Sequence, residues 1–72
     1  MNELNKLIQQ HLNKKCTVKD WRLSDFEKDI DLYLHFPVSD IFIIATIQEA
    51  GKEKEYLIDD SEILTFAKNL LS

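Results

Sequence analysis

The sequence predicts an α+β domain: an antiparallel sheet of three to four strands with an N-terminal and a C-terminal helix on one face. Two observations support this. Leucine and isoleucine recur at helical spacing near both ends of the chain, and alternating or continuous apolar runs fill its middle. The predicted element order is α-β-β-β-β-α, which packs economically when both helices cover the same side of the sheet.

Size and charge limit the classes of function. The 72 residues predict a single domain, residues 1–72, because the chain is too short for two cores. The apolar fraction is 44% with one glycine and one proline, which argues against disorder. The net charge of −4 disfavours direct binding to nucleic acid or to an anionic membrane. It suits a soluble cytoplasmic protein, or one that offers carboxylates to a basic partner surface.

The single cysteine and the N-terminus are consistent with a reducing compartment. One cysteine, Cys16, excludes an internal disulfide. It falls in the core phase of a predicted strand, so we expect a buried apolar residue; a nucleophile would need a neighbouring base. Residues 1–15 contain no uninterrupted apolar run, so neither a signal peptide nor a membrane span is expected there.

The N-terminal part predicts a helix followed by a strand. The helix covers about residues 2–14, with Asn2 as its cap. Its apolar residues recur at i, i+3, i+4 and i+8: Leu4, Leu7, Ile8 and Leu12. The strand covers residues 16–23, where the apolar phase changes partway. A β-bulge near Asp20 would turn all its apolar residues to the core; the alternative places Trp21 on the far side.

The centre of the chain predicts a β-hairpin. Residues 29–36 (DIDLYLHF) alternate polar and apolar, and residues 41–48 (IFIIATIQ) are apolar on both sides. Residues 37–40 suit a type I turn between them. The inward residues are then Ile30, Leu32, Leu34, Phe36, Ile41, Ile43 and Ile47. The outward apolar residues are Tyr33, Phe42, Ile44 and Leu57.

Two polar stretches separate the remaining predicted elements. Residues 24–29 (SDFEKD) predict a turn, as do residues 49–54 (EAGKEK), where Gly51 can adopt positive φ without strain. Residues 55–59 (EYLID) predict a fourth strand. Its expected inward residues are Tyr56 and Ile58.

The last predicted helix begins within residues 59–62 (DDSE). Asp59 and Glu62 have the spacing of a capping box. The helix carries a wide apolar stripe that is expected to pack beside the first helix, with Phe66 and Leu70 in the core: Ile63, Leu64, Phe66, Ala67, Leu70 and Leu71.

The sequence contains no recognisable catalytic or metal-binding motif. His11 and His35 lie on separate predicted elements without metal-ligand spacing. His35 beside Asp31 and Tyr33 could form an acid–base group, although an exposed polar cluster across strands is the commoner arrangement. With one glycine, the chain has no phosphate-binding loop. We therefore predict neither enzymatic activity nor a metal or cofactor.

The acidic residues carry more information about function. They form three groups: Asp25, Glu27, Asp29 and Asp31; Glu49, Glu53 and Glu55; and Asp59, Asp60 and Glu62. They have two interpretations. They provide solubility and helix capping, or they form a surface that imitates nucleic-acid phosphates and occupies a basic groove. The predicted partner-binding surface combines most of these carboxylates with the outward hairpin residues Tyr33, His35, Phe42 and Ile44.

Short stretches spread in order along most of the chain match one protein family: Met1-Asn2, Leu7-Ile8, Asn13-Lys14, Thr17-Val18-Lys19, Ile43-Ile44, and Glu55-Tyr56 with Ile58. In these stretches the chain resembles the small acidic anti-CRISPR proteins of Listeria prophages, which inhibit type II-A CRISPR nucleases. The resemblance implies a short helix, a three-stranded antiparallel sheet and a following helix. It also implies a non-enzymatic DNA mimic, encoded by a phage or mobile element, that blocks DNA access in the bacterial cytoplasm.

The family makes this contact partly through an acidic C-terminal region. No such region follows the last predicted helix in this sequence. By position, the nearest candidates for that part of the contact surface are Asp59, Asp60 and Glu62.

Two other functions remain open. The outward apolar face of the predicted hairpin favours an adaptor or interaction module that forms a homodimer, because a contiguous exposed apolar surface usually marks an interface. An immunity protein or antitoxin that neutralises a basic toxin would have the same electrostatics.

Overall fold

A computed structural model describes residues 3–13, 16–36 and 40–71. In chain order these form α1 (Glu3–Leu12), β1 (Thr17–Leu23), α2 (Ile30–His35), β2 (Ile43–Glu49), β3 (Lys52–Ile58) and α3 (Ser61–Leu71). The strands make one antiparallel sheet in the order β1-β2-β3. The α+β class, the antiparallel sheet and a helix towards each end are confirmed. The predicted Asn2 cap and most of the turn at 37–40 lie outside the described residues.

The first face of the sheet is the side of β2 that carries Ile43, Ala45 and Ile47. All three are fully buried. They belong to one core cluster that also contains residues of both outer helices, so α1 and α3 cover the same face: Leu4, Ile8, Ile63 and Ala67. Burying each large aliphatic side chain stabilises the fold by roughly 1.5–3 kcal/mol. This aliphatic packing is the main core of the domain.

A β-bulge in β1 keeps its apolar residues on the first face. The register with β2 shifts between Val18 and Asp20. As a result, Trp21 and Leu23 pack against the same core cluster as Val18. The bulge predicted near Asp20 is confirmed, and the alternative in which Trp21 projects from the far side is wrong.

A tight turn joins β2 to β3. Ala50 and Gly51 both have positive φ, of 53° and 77°, and Glu49 is paired with Lys52. Two successive positive φ angles are typical of a type I′ turn, whose twist matches that of a hairpin. The turn predicted around Gly51 is confirmed, but β3 begins at Lys52 instead of Glu55. Its predicted inward residues pack on or against the core cluster: Tyr56 and Ile58.

The strand predicted at residues 29–36 is wrong. Ile30–His35 form the six-residue helix α2, and a bond of 2.7 Å from the Asp29 N–H to the Asp25 carbonyl already makes a helical turn before it. Within the described residues the sheet has three strands. The four-stranded alternative and the order α-β-β-β-β-α are therefore wrong, and the observed order is α-β-α-β-β-α.

The reason for this difference is strand pairing. β2 has two edges, and β1 and β3 occupy both of them. A strand at residues 29–36 therefore has no free edge of β2 to pair with. As a consequence, three residues that were expected in the core are exposed: Ile30, Leu34 and Ile41. Leu70 was also expected in the core, and it is exposed near the end of α3.

The cap of α3 differs by one residue from the predicted one. The Asp60 carboxylate accepts bonds from the backbone N–H groups of Glu62 at 3.0 Å and Ile63 at 3.1 Å. These donors have no partner inside the helix, which is why an acidic cap stabilises it. The capping role predicted for Asp59 therefore belongs to Asp60.

Candidate protein-binding site

The second face of the sheet is the side of β2 that carries Ile44 and Thr46. Ile44 and the neighbouring Phe42 are only 1% and 0% exposed. Both were expected to lie outward on an open apolar surface, and that expectation is wrong. Residues 24–36, which we call the α2 segment, close this side of the sheet over Phe42.

A cluster of aromatic rings attaches the α2 segment to the sheet. The Phe42 ring lies 4.9 Å from the Tyr33 ring and 5.1 Å from the Phe36 ring, centroid to centroid. Phe26 lies 5.2 Å from Tyr33 on the outer side. The tilted and edge-on geometries are the ones that aromatic pairs prefer. Phe42 is therefore the buried centre of this contact.

Ser24 connects the start of the α2 segment to the same place. Its N–H donates to the Phe42 carbonyl at 2.8 Å, and its hydroxyl accepts from the Phe42 N–H at 3.0 Å. The same hydroxyl lies 2.7 Å from the Tyr33 hydroxyl. A buried hydroxyl requires such partners, since an unpaired one is costly. Ser24 and Tyr33 thus fix the segment at both its beginning and its middle.

An ion pair provides the third attachment. The Arg22 guanidinium binds the Asp29 carboxylate with two parallel bonds, Nη1–Oδ2 at 2.8 Å and Nη2–Oδ1 at 2.9 Å. The Asp25 N–H donates to Oδ2 at 2.7 Å. Asp29 is buried while Arg22 is half exposed. Arginine can form such a bidentate pair with a carboxylate, and the pair is stronger than a single hydrogen bond.

The same contacts change the acidity of Asp29. The hydrogen bond from Arg22, followed by the backbone bond from Asp25, lowers the pKa of Asp29 from 3.8 to about 2. The same bond raises the pKa of Arg22, with a smaller contribution from Glu55. Asp29 was predicted to contact a partner, but its carboxylate is instead engaged inside the domain.

Three predicted carboxylates of the α2 segment lie outward: Asp25, Glu27 and Asp31. Asp25 also accepts bonds from the N–H groups of Glu27 at 2.9 Å and Lys28 at 3.3 Å, which stiffens the turn before α2. Glu27 lies in the turn before α2, and Asp31 lies in the first turn of α2. The segment thus presents negative charge to solvent from a fixed backbone.

The other predicted site residues lie in three places. Glu55 is exposed on β3, opposite Thr46 on the second face, and it contributes to the raised pKa of Arg22. Asp59 and Glu62 are exposed near the start of α3, where Asp60 serves as the cap. His35 is exposed in the last turn of α2. The carboxylates of the α2 segment therefore lie on one segment of the chain. No contact among the described residues joins them to the acidic residues at the start of α3.

The sequence pattern also contains residues that the predicted site omits. Phe26, Ile30 and Leu34 are 65%, 41% and 74% exposed. Together with Tyr33 they recur at i, i+4, i+7 and i+8, which is helical spacing and was the available signal for a helix in this region. The strict alternation from residue 29 onwards obscured it. Phe26, Ile30 and Leu34, which we call the apolar ridge, lie beside the outward carboxylates.

Among the described residues, no group of three or more His, Cys, Asp and Glu side chains is placed to hold a metal ion. Cys16 lines a groove of about 340 Å³ at the edge of α1 and β1. Its neighbours in that groove include no base that would activate a thiol: Asn5, Gln9, Thr17 and Val18.

Comparisons with protein-family models, with curated proteins and with solved structures return no match for this chain. In the part of the chain that the structure describes, no helix has both the length and the apolar character needed to cross a membrane.

Proposed function

We propose that this domain is a non-enzymatic inhibitor that binds a basic surface of another protein through the outward carboxylates of the α2 segment. One observation carries the proposal. Asp29 is engaged by Arg22, whereas Asp25, Glu27 and Asp31 remain exposed on a segment that three separate contacts hold against the sheet.

The physical basis is electrostatic complementarity. Carboxylates on a fixed segment need little reordering when they bind, so less entropy is lost than with a flexible acidic tail. The net charge of −4 accelerates encounter with a positive groove, and the rate should fall as salt concentration rises. A groove that normally holds nucleic acid is strongly positive, so it is a complementary surface for these carboxylates.

The specific target that we propose is a type II-A CRISPR nuclease of a bacterial host. This step uses the resemblance to the anti-CRISPR proteins of Listeria prophages. The order of helix, three-stranded sheet and helix that the resemblance implies corresponds to α1, β1 to β3 and α3. The α2 segment lies between β1 and β2 and would supply part of the acidic surface that the family places in its C-terminal region. A DNA-mimicking contact of this kind blocks DNA access.

A cleavage assay with a purified type II-A nuclease tests this proposal. The domain should inhibit cleavage when it is added before the target DNA and much less when added after it. Charge reversal by Glu27→Lys should weaken inhibition about tenfold, because it removes attraction and adds repulsion. Glu3→Lys on α1 makes the same change of charge away from the α2 segment and should stay within about twofold of the parent.

The decisive negative result is absence of both inhibition and co-elution with the nuclease. If the domain instead co-elutes from host extract with a small basic toxin and restores growth in its presence, the immunity-protein alternative replaces the CRISPR target. The Glu27→Lys and Glu3→Lys pair then reports whether the same surface is used.

A further inference from the structure

The apolar ridge has the geometry of a helix-docking surface. Ile30 and Leu34 are one helical turn apart on α2, about 6 Å along the axis. Phe26 lies in the preceding turn, which the bond from the Asp29 N–H to the Asp25 carbonyl closes. Asp29 has φ −108° and ψ 28°, so the helix itself begins at Ile30 and Phe26 flanks its first turn. Ridges of residues at i and i+4 fit the grooves of a second helix. The exposed side of the α2 segment is thus shaped like half of a helix pair.

Acidic residues border this ridge. Glu27 follows Phe26 and Asp31 follows Ile30, so a carboxylate stands one position beyond each of the first two ridge residues. Lys28 is the only lysine or arginine within the α2 segment. A partner that covers the ridge therefore also meets these carboxylates, and positive charge beside its apolar residues is favoured.

We infer that the α2 segment binds an amphipathic helix of the partner that places apolar residues on the ridge and lysine or arginine beside them. This inference rests on the proposed function and deepens it, since it names the kind of partner segment that the acidic surface recognises. The occupant enters as a helix packed across Ile30 and Leu34, with its basic residues over Glu27 and Asp31.

A second copy of this chain is a poor occupant. Two ridges facing each other would bring their own carboxylates together. The edge strand β3 is also unsuited to self-pairing, because residues 52–55 alternate Lys and Glu. In a symmetric antiparallel pair each strand side meets the same side of its copy, so lysine would face lysine and glutamate would face glutamate. Such pairs are destabilising.

The exposed leucines of α3 provide the matched control. Leu71 is 63% exposed, similar to Leu34, but its charged neighbour in the last turn is Lys68. A basic helix should therefore avoid α3 and select the α2 segment. Leu34→Ser and Leu71→Ser make the same chemical change on two exposed helix surfaces, and neither removes a buried contact.

The test uses a synthetic peptide of about 18 residues, which is long enough to form a helix. Leucines form a stripe along one side of this helix, and lysines occupy the remaining positions. Changes in the NMR chemical shifts of the backbone amides when the peptide is added to the 72-residue chain map the contact, and calorimetry gives the affinity. The largest changes should fall in residues 25–36. Leu34→Ser should weaken binding about tenfold, while Leu71→Ser stays within about twofold. The peptide with glutamate in place of lysine should not bind.

Three outcomes would overturn the inference. The first is shifts centred on α3, or equal losses from Leu34→Ser and Leu71→Ser. The second is equal binding of a lysine peptide that lacks the leucine stripe, which leaves the electrostatic function standing without a ridge contact. The third is a dimer in sedimentation that Leu34→Ser dissolves. Conversely, peptide binding at residues 25–36 with no nuclease inhibition refutes the CRISPR target and retains the docking surface.

Discussion

The two faces of the sheet are closed in different ways. On the first face, two helices of ten and eleven residues bury a continuous aliphatic layer around Ile43, Ala45 and Ile47. On the second face, the α2 segment covers Phe42 with two aromatic rings, a buried serine and one ion pair. The first face depends on area, whereas the second depends on a few specific contacts.

This difference leaves the two covers with different exposed surfaces. The long amphipathic helices of the first face bury most of their apolar residues, and the exposed ones, Leu70 and Leu71, lie at the end of α3. The α2 segment has too few residues to hide its own apolar side, so the apolar ridge remains exposed next to Glu27 and Asp31. The less extensive cover thus leaves apolar and acidic side chains exposed next to each other. The following changes test how independent the two faces are.

The largest effect is expected from Phe42→Ala. Removing the central ring leaves a cavity beside Tyr33 and Phe36 and should lower the free energy of unfolding by about 3–5 kcal/mol. Ile47→Ala on the first face should cost about 2–5 kcal/mol. Denaturant unfolding gives both values, and the milder Phe42→Leu serves if Phe42→Ala does not fold. A loss below about 1 kcal/mol for Phe42→Ala would mean that the second face does not contribute to the fold.

A smaller loss of stability is expected from Asp29→Asn. The change removes the charge that pairs with Arg22 at a buried position, and it should loosen the α2 segment while leaving the first face packed. The matched control is Lys19→Ala, which removes the exposed pair with Glu53 and should alter stability by at most about 0.5 kcal/mol. Equal effects of the two variants would show that the Arg22–Asp29 pair behaves as an ordinary surface contact.

The same pair predicts a pH dependence. Because the pKa of Asp29 is lowered from 3.8 to about 2 in the folded state, its contribution is complete above pH 3.8 and is lost as pH falls towards about 2. Thermal unfolding of the parent protein should show this loss in that window. The corresponding slope should be smaller in Asp29→Asn, since the titrating group is gone. Parallel pH profiles for both proteins would contradict the role assigned to Asp29.

The smallest effect is expected at the turn between β2 and β3, at the other end of β2 from the α2 segment. Ala50 has φ of 53°, a conformation that asparagine tolerates better than alanine, so Ala50→Asn should raise stability by about 0.5–1 kcal/mol. Gly51→Ala should lower it by about 1 kcal/mol through backbone strain alone, because no atom lies within 4 Å of the added carbon. Either effect should add to that of Asp29→Asn, and strong non-additivity would link the two regions.

Much of the first face follows from the sequence. The repeats around Leu4 and Ile8 and around Ile63 and Ala67 are long enough to specify helices, and the bulge near Asp20 follows from a change of apolar phase. Each of these helices and strands is regular and buries one of its sides in the core. Local periodicity is then sufficient to predict which residues face the core.

The second face does not follow from local pattern. Residues 29–36 fit a strand by alternation, yet β1 and β3 already occupy both edges of β2. The contacts that hold this region in helical form come from Arg22, Ser24 and Phe42, none of which lies within it. The predicted carboxylates Glu27 and Asp31 are exposed as expected, but Phe42 and Ile44 are buried beneath the segment that was expected to lie beside them. In this region, tertiary contacts outweigh the local alternation of polar and apolar residues and determine the secondary structure.

Nuclear Overhauser contacts measured for residues 29–48 decide whether this region is a helix over Phe42 or a hairpin. We expect contacts from the Phe42 ring to the Tyr33 and Phe36 rings, together with helical sequential contacts through Ile30–His35. A hairpin would instead place Tyr33 opposite Ile44 and give Hα–Hα contacts between strands. Those cross-strand contacts would rule out α2, and the apolar ridge and the carboxylates beside it would then no longer lie on one surface.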